Sequence, residues 1–193
     1  MLKLDKYSII LASQSPRRQM LLAGLDIPFT ILVKNTNEEF SNELNAESAA
    51  LHLAERKSMA FIASELPHNY LLITADTVVS LRGTILNKPQ DKDEARKMLQ
   101  DLSGNHHTVF TGVCIRTSDR MESFCEASEV HFRQLTDAEI DYYIDTYKPY
   151  DKAGSYGVQE WIGYTSISRI QGSYFNVMGL PTQKLYEVLK HFS

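Results

Sequence analysis

Short apolar runs alternate along this chain with longer segments whose apolar residues recur at helical spacing. Residues 7–12, YSIILA, predict a buried strand, and SPRRQMLLAG directly afterwards predicts a helix. Ser15 is suited to the N-cap of that helix and Pro16 to its first position, while Gly24 closes it. The chain therefore opens as strand, loop and helix.

A second strand, FTILV, is expected after Pro28, and a polar loop then leads to a helical pattern from about Glu47 to Leu66. One face of this helix collects the apolar positions at i, i+3, i+4 and i+7 spacing. The residues on that face are Ala50, Leu53, Ala54, Lys57 and Phe61. A lysine is thus predicted among core positions.

The run YLLITADTVVSL predicts a central strand that carries a carboxylate, Asp76, in its middle. The next helix is marked by Asp91 as N-cap and Glu94 completing a capping box. Two alternating stretches, HHTVFTGVCIRT and FCEASEVHFRQL, predict an antiparallel hairpin. A further helix starts at Thr136 and ends ahead of Pro149. Together these elements predict an α/β fold with a mixed sheet.

Composition narrows the class of protein. The 193 residues suit one domain spanning 1–193, and 43% hydrophobic with 23% charged residues is typical of a globular protein. Twenty basic and 24 acidic residues give a net charge of −4, so no nucleic acid or anionic membrane is expected as a partner. Two cysteines, Cys114 and Cys125, match no disulfide framework or metal spacing. No run reaches the roughly 20 apolar residues of a membrane span, and a cytoplasmic location is expected.

Arg17 and Arg18 lie in the first turn of the first predicted helix, where the helix dipole disfavours cations by roughly 0.3–1 kcal/mol each. Two solvated surface cations are the ordinary alternative. A strand followed by a serine-rich loop and a helix N-terminus is also a common phosphate site, and a bound polyanion reverses the sign of this effect. We therefore favour a phosphate site, and expect Arg18→Ala to leave stability unchanged or slightly improved.

Asp76 needs a partner, because a carboxylate inside an apolar strand is costly unless it is paired, hydrogen-bonded or metal-bound. A structural aspartate that caps nearby amides is the alternative. Lys57 and Lys88 are candidate cations, although each alone is as easily a snorkelling or loop lysine. The acidic pair Glu38 and Glu39 could supply another metal ligand or form a solvated loop. No Walker A, G-x-G-x-x-G, G-x-S-x-G or H-E-x-x-H motif is present.

Seven segments in order, LASQSPRR, ADTVV, NKP, LSG, TGV, YDKAGSYGVQ and GSYFNVMGLP, resemble the Maf family of nucleoside triphosphate pyrophosphatases. The resemblance runs from about Ile9 to Pro181. It implies a cytosolic enzyme of the inosine-triphosphatase-like fold, with two lobes around a central cleft, and it admits a homodimer. It also implies a divalent metal cation, Mg²⁺ or Mn²⁺, and cleavage of a nucleoside triphosphate between the α and β phosphorus atoms.

The resemblance assigns roles by position. Asp76 would be the proton acceptor, with Lys57 and Lys88 beside it in the catalytic set, and Glu39 would lie with Asp76 near the metal. The positions that set base specificity are Arg17, Thr77 and Gln159. Polar and cationic phosphate-binding positions are Ser13, Arg18, Lys57 and Lys88.

The triplet Arg, Thr and Gln resembles the dTTP/UTP subgroup, which is also associated with modified pyrimidine nucleotides and a house-cleaning role. A glutamine carboxamide offers one donor and one acceptor, as the edge of uracil or thymine requires. Two alternatives stay open: a pyrophosphatase for another base, such as methylated GTP, and a non-catalytic nucleotide-binding regulator of septum formation. The chain departs from the family in the order of residues in AERKS and at Lys148, where an acid is usual.

Overall fold

The computed structural model describes residues 2–41 and 43–193, which form a seven-stranded sheet flanked by helices. The strands are β1 Ser8–Leu11, β2 Thr30–Ile31, β3 Tyr70–Leu81, β4 Thr84–Leu86, β5 His106–Arg116, β6 Met121–Phe132 and β7 Ile167–Gln171. The helices are α1 Pro16–Ala23, α2 Ala46–Met59, α3 Lys92–Leu102, α4 Asp137–Tyr147, α5 Trp161–Ser166, α6 Tyr174–Met178 and α7 Thr182–Leu189. Short 3₁₀ turns cover Ala63–Glu65, Pro149–Asp151, Ala153–Ser155 and Lys190–Phe192.

The sheet has the order β2-β1-β3-β5-β6-β7, with β4 paired to β3. β1 runs parallel to both β2 and β3, whereas β3, β5, β6 and β7 pair antiparallel. The predicted hairpin is confirmed, with β5 and β6 in register from His106 opposite His131 to Arg116 opposite Met121. The expected mixed α/β fold is therefore confirmed, and β3 lies where its parallel and antiparallel halves meet.

α1 begins and ends as its sequence predicts. The Ser15 hydroxyl accepts a hydrogen bond from the backbone N–H of Arg18 at 3.5 Å, Pro16 occupies the first helical position, and Gly24 follows the last turn. These features place both arginines in the first turn, directly after the loop that leaves β1.

α2 differs from the prediction at its C-terminal end. The helix ends at Met59, so the expected continuation to Leu66 is wrong. Phe61 lies beyond the helix and is buried in a small apolar cluster that includes Ile10 and Tyr70. Apolar spacing could not distinguish this core contact from another helical turn.

α2 packs closely across β3 and β5 because β5 has a glycine at the crossing. A Cβ on Gly112 would lie 2.3 Å from the Ala50 carbonyl oxygen. The buried residues of α2 include Ala50, Leu53 and Ala54, as the helical spacing predicts. The close approach fixes where the last turn of α2, with Lys57, meets the sheet.

The main core lies between the sheet and the helices α1, α3, α4 and α7, and it includes the fully buried ring of Tyr143. The second strand is shorter than expected, since only Thr30–Ile31 pairs with β1. Within the part of the chain that the structure describes, no helix is long and apolar enough to cross a membrane.

Candidate active site

A cleft of about 440 Å³ opens beside β3, between the loop after β1, α1, the end of α2 and the segment 151–159. Among the described residues, six cationic side chains and three carboxylates line it. The cations are Arg17, Arg18, Lys34, Lys57, Lys88 and Lys152, and the carboxylates are Glu38, Asp76 and Asp151. A chain with a net charge of −4 thus concentrates positive charge in one concave place.

Asp76 and Thr77 are the two partly exposed residues of β3, between buried residues on both sides. Asp76 Oδ1 accepts a hydrogen bond from the backbone N–H of Thr77 at 2.8 Å. Asp76 Oδ2 lies 3.0 Å from Lys57 Nζ, but this buried oxygen has no hydrogen-bond donor among the described residues. The contact is an ion pair outside hydrogen-bonding geometry, which leaves lone-pair capacity on Oδ2.

Lys57 and Lys88 converge on the same carboxylate, that of Glu38. Lys57 Nζ is 2.8 Å from Glu38 Oε1, and Lys88 Nζ is 2.7 Å from Glu38 Oε2. Lys57, the lysine that the sequence pattern predicted among core positions, therefore bridges Glu38 and Asp76. The Lys57 side chain is only 18% exposed, whereas the Lys88 side chain is 53% exposed.

Burial opposes the ionisation of Glu38, but hydrogen bonds and charge from Lys57 and Lys88 outweigh it and lower the pKa of Glu38 to about 2. Glu38 is therefore an anion at neutral pH. Its two oxygens occupy the place between two lysines where the oxygens of a phosphate group could also bind.

Arg18 is held by the fold more firmly than its sequence position indicates. Its Nε donates to the Gly179 carbonyl at 2.8 Å and its Nη2 donates to Thr77 Oγ1 at 3.0 Å. Burial lowers the pKa of Arg18 and the Asp76 carboxylate opposes that shift. Arg18 thus links α1 to β3 and to the turn after α6.

The other predicted site residues also lie at the cleft, with one exception. Ser13 is buried at the cleft and its hydroxyl accepts from the Ser15 N–H at 3.2 Å, while Arg17 and Gln159 line the opening. Glu39 lies instead in an adjacent hollow, which shares Glu38, Asp76, Thr77, Lys88 and Ala153 with the cleft. The Glu39 carboxylate accepts from the Asn37 side chain at 3.0 Å.

A divalent cation has suitable ligands here without a closed cage. No group of three or more His, Cys, Asp or Glu side chains is arranged to hold a metal ion within residues 2–41 and 43–193. Mg²⁺ commonly binds one or two carboxylates and completes its shell with water and substrate phosphates. That pattern is met by Asp76 and Glu38, which both form ion pairs with Lys57, together with the neighbouring Glu39.

Sequence reasoning missed two residues of the cleft wall. Lys152 is buried with its Nζ 2.8 Å from Asp151 and 3.1 Å from Glu160. Tyr156 is buried and its hydroxyl lies 2.7 Å from Nε2 of the buried His107. The signal was a lysine and a tyrosine within the glycine-rich segment YDKAGSYGVQ, where a surface loop would not need them.

The fold and the site together define an α/β protein with a mixed sheet and a cationic cleft beside a strand aspartate. The family model described as Maf-like protein matches residues 8–192. The chain belongs to the Maf family.

Three relatives are named dTTP/UTP pyrophosphatase. The protein of Porphyromonas gingivalis strain W83 is 52% identical over 98% of this chain and 96% of its own length. That of Phocaeicola vulgatus is 51% identical over 97% of both, and that of Flavobacterium johnsoniae is 46% identical over 97% and 96%. The structure of the Staphylococcus aureus Ham1 protein aligns with a TM-score of 0.42 and 15% identity, over 65% of this chain and 71% of that one.

Proposed function

We propose that this protein is a nucleoside triphosphate pyrophosphatase that hydrolyses dTTP and UTP to the monophosphate and pyrophosphate. The observation that carries the proposal is the cleft lined by six cationic side chains and by Asp76, with Lys57 3.0 Å from the Asp76 carboxylate. Near full-length similarity to relatives named dTTP/UTP pyrophosphatase supports the choice of substrate.

The cations would bind the triphosphate. Arg18 lies at the N-terminus of α1, where free backbone N–H groups also attract anions, and Ser13 adds a hydroxyl. Lys57 and Lys88 already bind a carboxylate with both amines, so a phosphate would displace Glu38 from them. In phosphoryl transfer, positioning and charge stabilisation of this kind supply most of the catalysis.

Asp76 would accept the proton in the hydrolytic step. Water attacks the α-phosphorus and forms the new P–O bond, its proton passes to Asp76 Oδ2, and the bond from the α-phosphorus to the bridging oxygen breaks. Pyrophosphate leaves with the electron pair of that bond. Oδ2 is assigned this role because Oδ1 already accepts the Thr77 N–H, whereas Oδ2 contacts Lys57 as an ion pair.

The residues that would hold a divalent cation, Mg²⁺ or Mn²⁺, are Asp76 with Glu39 or Glu38. Such a cation, when bound, supplies charge neutralisation of the phosphate oxygens. Asp76 would then have two tasks, with Oδ1 already fixed by the Thr77 N–H.

Base selection would rest on Gln159, Arg17 and Thr77. Gln159 offers a carboxamide at the cleft opening, which can pair with a carbonyl and an imide N–H of uracil or thymine. Thr77 is fixed by Arg18 and by Thr111, whose hydroxyl lies 3.0 Å away. Modified pyrimidine triphosphates present a similar base edge and are included among the proposed substrates. The proposal also includes a house-cleaning role.

The test is pyrophosphate release from a panel of triphosphates, by the wild type and by Asp76→Asn. We expect release from dTTP and UTP with Mg²⁺ or Mn²⁺, and a loss of about a hundredfold or more in Asp76→Asn because general-base catalysis is removed. Equal low release from both proteins would favour a non-catalytic nucleotide-binding regulator. A preference for methylated GTP or other purines would reject the assigned base.

The remaining expectations are proposals of the same kind. Residues 1–193 would act as a single domain, which the family match over residues 8–192 supports. The proposed location is the cytoplasm. The homodimer stays a prediction that sedimentation measurements can test.

A further inference from the structure

The segment that carries Gln159 is held by three side chains that the proposed reaction does not use. We define Tyr143, Lys152 and Glu160 as the loop brace. Glu160 directly follows Gln159 and is partly buried, with one carboxylate oxygen on Lys152 and the other on Tyr143.

Each contact of the loop brace fixes a different part of the segment. Lys152 Nζ lies 3.1 Å from Glu160 Oε1 and ties the start of the segment to its end. The Tyr143 hydroxyl donates to Glu160 Oε2 and accepts the backbone N–H of Gly157 at 3.0 Å. Tyr143 belongs to α4 and is fully buried, so the segment is anchored to the main core.

Tyr143 acts as a donor because it stays protonated. Burial, and then the hydrogen bond to the Glu160 carboxylate, raise the pKa of Tyr143 well above its usual value. The phenol can therefore donate to Glu160 while its oxygen accepts from Gly157.

Gly157 leaves room for this arrangement. A Cβ at position 157 would lie 2.7 Å from Glu160 Cδ and 3.0 Å from both carboxylate oxygens. The carboxylate is pinned by Tyr143 and Lys152, so it cannot swing aside without losing them. A side chain at position 157 would therefore collide with the Glu160 carboxylate in the position where it contacts Tyr143 and Lys152.

We propose that Glu160 is a positioning residue for base selection, which acts through Tyr143 and Lys152 to hold the backbone at Gln159 in one orientation toward the base. This inference rests on the proposed function and deepens it. A carboxamide whose donor and acceptor ends are fixed can reject cytosine, which places an amino group where uracil has a carbonyl. A carboxamide on a loose backbone can turn to suit either base.

The test compares kcat/KM for UTP and CTP in the wild type, Glu160→Ala, Gln159→Ala and the double variant. We expect Glu160→Ala to reduce the preference for UTP by about tenfold, the order of discrimination lost with one unpaired buried group. The loss should appear mainly as a higher KM for UTP, with kcat nearly unchanged, because Asp76 stays in place.

The double variant separates positioning from general damage. If Glu160 acts through Gln159, then adding Glu160→Ala to Gln159→Ala should change the preference no further. Additive losses, or an unchanged preference in Glu160→Ala, would overturn the proposal. Tyr143→Phe keeps the ring in the core and should reproduce the effect if Glu160→Ala fails to fold.

The matched control is Glu139→Ala. Glu139 also joins a cation, Arg133, at 2.8 Å and caps α4, but its partners are Arg133 and Thr136 and not the segment that carries Gln159. This variant should lose stability and keep its base preference. If the wild type releases no pyrophosphate from any pyrimidine triphosphate, the proposed function fails and this inference fails with it. If the wild type prefers UTP and the Glu160 variants keep the same preference, only this inference is overturned.

Discussion

Arg17 and Arg18 are adjacent and equally charged, yet the fold treats them differently. Arg18 bonds to the Gly179 carbonyl and to Thr77, while Arg17 lines the cleft without a comparable partner in the described part of the chain. The helix dipole alone would make both arginines unfavourable in the first turn of α1. Because of its contacts, Arg18 stabilises the folded protein despite its place at the helix N-terminus.

Arg18→Ala should therefore destabilise the protein, contrary to the expectation from sequence. It removes the side-chain donor to the buried Gly179 carbonyl and leaves the Thr77 hydroxyl with Thr111 alone, at a cost of about 1–3 kcal/mol. Urea unfolding measures the effect. Arg17→Ala is the matched control, and it should leave stability unchanged or slightly higher as repulsion at the helix end is relieved. Both variants should lose turnover, and equal destabilisation by the two would contradict this account.

The sequence identified the residues whose chemistry conflicts with their local pattern. Asp76 in an apolar strand, Lys57 on an apolar helix face and two arginines at a helix start each violate a local rule, and all four line the cleft. Glu38, Lys152 and Glu160 violate no such rule, because a charged residue in a loop looks ordinary. Their importance comes from ion pairs and hydrogen bonds that form only in the folded chain, which a local pattern does not contain.

At the scale of elements, the contact of α2 with β5 determines where Lys57 lies. Gly112 allows the Ala50 carbonyl to approach the strand, so the helix crosses the sheet at a distance that no other residue at 112 permits. The sequence predicted the buried face of α2, but not this crossing or the end of the helix at Met59. Both depend on which strand lies beneath the helix.

Gly112→Ala should displace α2 and withdraw Lys57 from Asp76. Overpacking of this kind costs about 1–3 kcal/mol, and pyrophosphate release should fall as well, because a shift of the helix changes the 3.0 Å contact between Lys57 and Asp76. Thermal unfolding and turnover are measured together. Gly24→Ala serves as the control, since the nearest atom to its Cβ is a backbone oxygen at 3.4 Å and its φ is −66°. A Gly112→Ala protein with normal activity would refute the proposed link between helix packing and the site.

At the scale of the whole molecule, Glu38 joins three separate segments. Its carboxylate ties the loop before α2 to Lys57 on that helix and to Lys88 after β4. These ion pairs span about fifty positions of sequence, from 38 to 88. They contribute to global stability only while Glu38 is ionised.

The contribution of Glu38 should depend on pH in a definite direction. Its pKa is lowered from 4.5 to about 2 in the folded protein, so its ion pairs stabilise the fold above about pH 4.5 and are lost as the pH falls toward 2. Unfolding free energies of the wild type and Glu38→Gln should differ at neutral pH and converge near pH 2. Glu39→Gln, whose carboxylate accepts from the nearby Asn37, should show a smaller difference at neutral pH. A difference for Glu38→Gln that persists to pH 2 would contradict this origin.

The two walls of the cleft are supported by different kinds of structure. Asp76 lies on the backbone of β3 opposite Gly112 of β5, and β1 pairs with the same strand as far as Ile73, so Asp76 cannot move unless the sheet is disrupted. Gln159 lies on a loop that three side chains secure. Point mutations can therefore remodel the loop wall one residue at a time while the aspartate stays in place. Under the proposed function, this arrangement makes the choice of nucleobase adjustable in an evolving or engineered enzyme and leaves the hydrolytic chemistry inherited with the sheet.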